Sequence, residues 1–198
     1  MLVSTRHSLA ILAMPKTGTT AIETVLKREC EIAVGGDPGL KHMTLRRFER
    51  FVRPLLTASG FGDVETVCLI REPADWLISW YRYRQRAEVA DPTKSTVGIS
   101  FERFVEGYLA PDQPVFAQVG RPSRFLSDKT GRMAVDHLFR YERFDALEAF
   151  LSRRVGKRLF FPMVNGSVAA RPHIAPTLRA RIEAGMAEEY RIWHDLAQ

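Results

Sequence analysis

Apolar residues along the chain fall into two kinds of run. Short, nearly continuous runs cover residues 8–14, 31–34, 64–70 and 135–141, and their length and composition predict strands. Between them, apolar positions recur at three- and four-residue spacing over 19–29, 45–58, 73–87, 101–109, 144–155 and 176–196, which predicts amphipathic helices. Continuous apolar strands alternating with such helices predict an α/β fold, a three-layer α/β/α arrangement around a central parallel sheet. Thr44 is placed to cap the helix from Leu45, Pro73 suits a first helical turn, and Gly156 is a stop after Val155. Residues 88–100 and 111–130 read as polar loops, the second with room for a short helix over 116–125.

Length and composition narrow this picture. At 198 residues, 45% hydrophobic and 26% charged, the chain is expected to form one domain, 1–198, with a sizeable core. A net charge of +6 suits an anionic ligand but is too mild to specify nucleic acid, and no zinc spacing or nucleic-acid signature accompanies it. Cys30 and Cys68, in or beside predicted strands, are expected to be buried, reduced thiols. The apolar run 9–14 is too short to span a membrane or to act as a signal peptide, so a cytoplasmic protein without a transmembrane segment is expected.

The candidate chemistry begins where the first long strand ends. Pro15-Lys16-Thr17-Gly18-Thr19-Thr20 joins that strand to a helix start rich in hydroxyls. Backbone N–H groups at a helix start bind anions, and Lys16 adds a full charge. A magnesium-nucleotide loop requires Lys after the second Gly and a Ser/Thr after the Lys. Here Lys16 precedes Gly18, and the strand 67–70 ends in Arg71 where a metal-holding Asp would be expected. In parallel sheets ligands sit beyond the carboxyl ends of strands. Lys16, His42 and Arg71 each follow a predicted strand and are expected to gather at one edge.

A second segment, Arg71-Glu72-Pro73-Ala74-Asp75-Trp76-Leu77-Ile78-Ser79-Trp80-Tyr81, closes another buried strand and enters a helix. Together the two segments resemble the signature motifs of the sulfotransferase family, in particular its bacterial and carbohydrate-type branch. The family's P-K-[ST]-G-T-T is matched by residues 15–20, and its R-x-P-x-D-x-x-x-S-x-Y by residues 71–81. The resemblance implies a P-loop-like nucleotide-binding fold and 3′-phosphoadenosine 5′-phosphosulfate (PAPS) as donor. It implies that Lys16 contacts the phosphosulfate while Pro15, Thr17, Gly18, Thr19 and Thr20 form the 5′-phosphate loop. Arg71 and Ser79 are implied to hold the 3′-phosphate. Glu72 stands where the family usually has Asn. The family's late basic-Gly segment has no clean copy; residues 165–171 are nearest, with Arg171 as the candidate contact.

Sulfuryl transfer to a hydroxyl needs a base at the attacking oxygen and a cation at the departing one. Lys16 fits the second role. Of five histidines, His7 lies at the wrong end of its strand, His137 lies within a strand, and His194 is on the terminal helix. His173 is the fifth. His42 follows the second strand region and precedes a capped helix, so it is the leading candidate base, with Glu23 second. Asp75 is assigned to helix-start electrostatics, and Trp76, Leu77, Trp80 and Tyr81 to the core. Arg46, Arg50 and Arg53 share a helix face, and Arg82, Arg84 and Arg86 follow the second motif; solvated surface and an anionic acceptor remain alternative readings. Residues 93–98 are a lid candidate on composition. The expected activity is in-line, metal-free sulfuryl transfer from PAPS to a hydroxyl of a small-molecule or saccharide acceptor. The alternatives are an ATP- or GTP-dependent small-molecule kinase and a non-catalytic protein that binds PAPS or its product PAP.

Overall fold

In the computed structural model, residues 1–87, 89, 91–162 and 172–196 are described. The chain divides into two compact units, Met1–Ile70 with Arg121–Val164, and Arg71–Gly120 with Asn165–Gln198. The first unit holds a five-stranded sheet: β1 (Leu2–Ser4), β2 (Leu9–Ile11), β3 (Ile32–Ala33), β4 (Glu65–Ile70) and β5 (His137–Arg140), in the order β3-β1-β2-β4-β5. The parallel sheet expected from the apolar runs is therefore a mixed sheet. β2, β4 and β5 run parallel, whereas β1 is antiparallel to both β2 and β3. The physical reason is the tight turn before β2. Ser8, at φ 51°, donates its N–H to the Thr5 carbonyl, and so short a connection joins only antiparallel neighbours. β1 itself, three residues long, is too short for an alternation to reveal.

Helices pack where the apolar stripes direct them. On one face of the sheet, Leu9, Ile11, Val67 and Leu69 meet Ile22 and Leu26 of α1 (Thr19–Leu26) and Leu147 and Leu151 of α8 (Phe144–Val155). Ala10, Thr66, Cys68 and Ile70 project to the opposite face and are also at most 1% exposed, so the sheet is buried on both sides. Each fully buried aliphatic side chain contributes roughly 1.5–3 kcal/mol. Between α1 and β4 lie α2 (Pro38–Lys41), α3 (Leu45–Phe51) and α4 (Arg53–Ala58), while α7 (Pro122–Leu126) precedes β5. The single helix expected over 45–58 breaks at Val52 because Pro54, in the first turn of α4, has no N–H to continue the ladder. Thr44 caps α3 as expected, its hydroxyl accepting the Arg47 N–H at 3.4 Å.

The second unit is helical, built from α5 (Pro73–Arg84), α6 (Phe101–Leu109), α9 (Pro176–Gly185) and α10 (Ala187–Asp195). Trp76, Leu77, Tyr81, Phe104, Tyr108, Ile182 and Met186 form its core. Gly107 inside α6 is a packing requirement: a Cβ there would lie 2.9 Å from Pro114 Cγ and 3.1 Å from the Phe116 ring. The helix expected over 176–196 breaks at Met186, whose backbone (φ −123°, ψ 32°) leaves the helical region after Gly185. No helix among the described residues is long and apolar enough to cross a membrane.

One side-chain lock sets the register of β4 against β5. Asp136 Oδ2 accepts both the backbone N–H and the hydroxyl of Thr66 at 2.7 Å, and Thr66 Oγ1 accepts the Asp136 N–H at 3.0 Å. Thr66 is 1% exposed, so removing the carboxylate strands two donors away from water. Asp136→Ala is expected to cost about 1–3 kcal/mol in urea unfolding, with Asp136→Asn recovering part of the loss.

Candidate functional site

The loop after β2 is a backbone construction. Lys16 (φ 69°) and Gly18 (φ 72°) both lie in the left-handed region, with Thr17 between them on the negative side. Such alternation turns successive N–H groups toward one point and forms an anion-binding concavity. Gly18 is the N-cap of α1, and no side chain caps that helix. Its carbonyl accepts the N–H of Ala21 at 3.0 Å, so the N–H groups of Thr19 and Thr20 precede the first intrahelical donor. Thr17 is buried, and its hydroxyl donates to the Met14 carbonyl at 2.9 Å. Its side chain therefore staples the loop, and its hydroxyl proton is committed to Met14 instead of to a ligand. Pro15, Lys16, Gly18 and Thr19 are half-buried and Thr20 is exposed.

Gly18 is required twice over. Its φ disfavours a side chain, and a Cβ would lie 3.2 Å from the rings of both Tyr141 and Phe144. These two rings wall the loop from the segment after β5. Nothing in the sequence spacing links them to the loop, because they lie more than 120 positions from Gly18.

His42 follows a short helix, α2, that the apolar pattern does not reveal. It is the C-cap of α2, and its Nδ1 donates to the carbonyl of Ala13, at the end of the run leaving β2, over 2.7 Å. A carbonyl can only accept, so the bond puts the ring proton on Nδ1 and leaves the Nε2 lone pair available as a base. Burial pushes the imidazole below its ordinary pKa, the Ala13 bond opposes this, and the charges of Lys41 and Lys16 add to the depression. The ring is therefore neutral at pH 7 and close enough to Lys16 to feel its charge.

Glu23, the second candidate base, is engaged otherwise. Its Oε2 accepts from Lys41 Nζ at 2.8 Å, and this bond holds its carboxyl below the usual range despite partial burial. An ion-paired carboxylate is a poor proton acceptor. The pair instead ties α1 to α2, immediately before His42. Lys41 was legible only as a neighbour of His42, because the salt bridge spans 18 residues.

The second motif begins the second unit. Glu72 caps α5, its Oε2 accepting the Asp75 N–H at 2.6 Å. Its Oε1 accepts the Tyr190 hydroxyl at 2.6 Å and pairs with Arg179 at 3.4 Å. The residue that departs from the family pattern thus fastens the start of α5 to α9 and α10. Arg71 Nε donates to Asp75 Oδ2 at 2.6 Å, four residues on, so Asp75 orients the guanidinium as well as favouring the helix start. Ser79 is half-buried on the same helix. β2 and β4 are parallel neighbours with Ile11 beside Val67, so both strands end at the same edge of the first unit's sheet.

Other candidates resolve individually. Arg84 is 6% exposed and donates to the carbonyls of Val115 and Gln118 at 2.8 and 2.7 Å, a structural role. Arg53 is bound to Glu49 and to the Gly62 and Val64 carbonyls, whereas Arg46 and Arg50 are exposed. The lid candidate is tied down: Thr96 is buried, its N–H donates to the Arg84 carbonyl, and its hydroxyl to that of Tyr81. His7 pairs with Glu29 and His137 with Glu65, while His173 and His194 are exposed. Cys68 is buried, which pushes its thiol up to about 12, whereas Cys30, expected to be buried as well, is half-buried beside the short edge strand β3; neither cysteine forms a disulfide. Arg171 and the segment 165–171 lie outside the described residues.

Comparison with protein-family models, with curated proteins and with solved structures returns no match. The loop geometry has a direct test. Gly18→Ala is expected to cost about 1–2 kcal/mol from the left-handed backbone alone and more from the two rings. Gly156→Ala, at φ 75° with nothing within 4 Å of the added Cβ, isolates the backbone part. Chemical denaturation should show Gly18→Ala as the more destabilised of the two.

Proposed function

We propose that this chain is a PAPS-dependent sulfotransferase that transfers a sulfuryl group to an acceptor hydroxyl, in a P-loop-like three-layer α/β/α fold and a cytoplasmic setting. The observation that carries the reading is the loop at the end of β2. Two left-handed residues, one a lysine, open an uncapped helix start, and a histidine with an available Nε2 is bonded to the same loop. The motif at Arg71 and Ser79 adds the recognition of a 3′-phosphate.

When bound, the donor supplies a sulfuryl group activated by its phosphate leaving group. The residues 15–20 hold the 5′ end through backbone N–H groups and the Lys16 ammonium. Arg71, kept in place by Asp75, and Ser79 hold the 3′-phosphate with charge-assisted hydrogen bonds. Lys16 stands where negative charge collects on the departing oxygen, so the protein itself provides the cation. His42 Nε2 takes the proton of the acceptor hydroxyl as that oxygen gains its new bond to sulfur. The resulting imidazolium is positioned by its Nδ1–H bond to Ala13 and returns its proton to solvent. The acceptor is a hydroxyl of a small molecule or a saccharide.

Radiolabelled sulfate transfer from PAPS across a metabolite extract, with identification of the labelled product, tests the reading; no labelled product from any fraction would sink it. Transfer is expected to persist in EDTA. Lys16→Ala is expected to lower kcat about 10²–10³-fold, and His42→Ala about 10²–10⁴-fold with PAPS saturating. The pH dependence follows from the His42 environment. Its pKa is depressed, so the base stays neutral as pH falls through the ordinary value of 6.5 and protonates only below it. The acid limb of the rate profile should therefore lie below pH 6.5 and disappear in His42→Ala.

A further inference from the structure

A surface helix needs one apolar stripe, and the segment formed by α3 and α4 carries two. Leu45, Phe48 and Leu56 face the interior of the first unit and are at most 3% exposed. Phe51 and Leu55, on the outward side, are 56% and 59% exposed. Backbone bonds carry the helical spacing across the break at Val52, whose N–H donates to Phe48 at 2.9 Å and whose carbonyl accepts the Leu56 N–H at 3.1 Å. Arg47, Phe51 and Leu55 therefore form one outward row, with Arg46, Arg50 and Pro54 beside it. Apolar surface continues at both ends. Arg47 donates to the Gly39 carbonyl at 2.6 Å, which sets α2 and its exposed Leu40 beside the start of α3. Phe61, also exposed, donates its N–H to the Leu56 carbonyl at the end of α4. Of nine large apolar side chains exposed among the described residues, four thus lie between residues 40 and 61.

The same face is positive. Over residues 45–58 four arginines stand against one carboxylate, Glu49, which pairs with Arg53 at 2.9 Å. Arg53 also donates to the Gly62 and Val64 carbonyls, so this pair serves the fold. Arg46 and Arg50 are exposed and pair with no carboxylate among the described residues, and Arg47 spends one N–H on a neutral carbonyl that leaves its charge uncancelled. The Arg50 guanidinium lies 5.0 Å from the centre of the Phe51 ring, so charge and apolar surface are interleaved in one patch. Of the flanking carboxylates, Asp37 caps α2 through the Gly39 and Leu40 N–H groups, and Asp63 comes after α4.

We propose that the outward face of α3 and α4 docks the protein peripherally on an anionic lipid bilayer. Its two components match the two layers of such a surface. Arg46, Arg47 and Arg50 meet the lipid phosphates and carboxylates, while Phe51 and Leu55 enter the boundary between headgroups and acyl chains. The long arginine stems let the charged ends stay at headgroup level while the apolar side chains lie deeper. A second copy of the chain is a worse occupant, because it would set three uncancelled guanidinium groups against three more. The docking face is independent of the donor reading above.

The test is flotation of the full chain with vesicles of phosphatidylcholine alone and of phosphatidylcholine mixed with phosphatidylserine. The proteins are wild type, the double variants Arg46→Gln/Arg50→Gln and Phe51→Ala/Leu55→Ala, and Lys27→Gln/Arg28→Gln as a control that removes two exposed charges elsewhere on the first unit. Wild type is expected to float with the mixed vesicles in preference to the neutral ones. Loss of Arg46 and Arg50 should weaken that binding about fivefold per arginine. Loss of Phe51 and Leu55 should weaken it about tenfold, with the melting temperature unchanged because both side chains are exposed. The control should stay within about twofold of wild type. Absence of wild-type binding to the mixed vesicles, or equal binding to both kinds, overturns the proposal. So does equal weakening in the control, which shows a general effect of net charge. Full binding by Phe51→Ala/Leu55→Ala also overturns it, because the face then reads charge alone, as an acidic protein or polymer would. Sedimentation equilibrium without vesicles covers the remaining occupant: a wild-type dimer that Phe51→Ala/Leu55→Ala dissociates assigns the face to a second copy and overturns the lipid docking.

Discussion

The candidate site depends on one constraint: the chain must turn from a buried strand into a helix within a few residues while keeping its backbone donors pointed outward. Lys16 and Gly18 meet it by adopting left-handed backbone on either side of Thr17. For Gly18 this conformation is inexpensive, and for Lys16 it costs free energy that the surroundings must offset. The offsets are identifiable. Thr17 bonds Met14 from inside the loop, His42 bonds Ala13 from α2, and the Tyr141 and Phe144 rings close against Gly18. Three separate stretches of the first unit thus hold a six-residue loop, the kind of over-determination that strained functional backbone requires.

The same principle governs the ionisable groups. Each is engaged by a neighbour that biases its charge or orientation. Ala13 selects the His42 tautomer, and burial together with nearby lysines keeps the ring neutral. Lys41 neutralises Glu23 and so leaves His42 as the basic group beside the loop. In the second unit Asp75 orients Arg71, and Glu72, although a departure from the family pattern, strengthens the anchoring of α5 instead of disturbing the arginine beside it. A carboxylate next to a proposed phosphate ligand is tolerable because Tyr190 and Arg179 already absorb it.

Much of this was legible beforehand, and the failures share a cause. The helices over 101–109 and 144–155 agree residue for residue with α6 and α8, because their apolar periodicity is strong and a serine cap or a glycine stop marks an end. Helices over 45–58 and 176–196 were read as continuous because side-chain periodicity survives a backbone break at Val52 or Met186. β1 went unseen because three residues cannot show a pattern, and without it the antiparallel edge of the sheet could not be anticipated. The lid reading of residues 93–98 rested on polarity, whereas Thr96 is polar because its hydroxyl and N–H are bonded inside the second unit.

The sequence by itself determined what depends on local order: the strand-loop-helix at Lys16, the second motif at Arg71 and Ser79, most helices, and the α/β class. These follow from periodicity, caps and fixed spacing, all of which act over a few residues. Tertiary structure alone decided the mixed sheet, the rings behind Gly18, the engagement of Glu23 by Lys41, the tautomer of His42, and the fastening of Glu72 to Tyr190. Those outcomes depend on which distant side chains meet, and a carboxylate or an imidazole takes its charge state from the neighbour that folding brings to it.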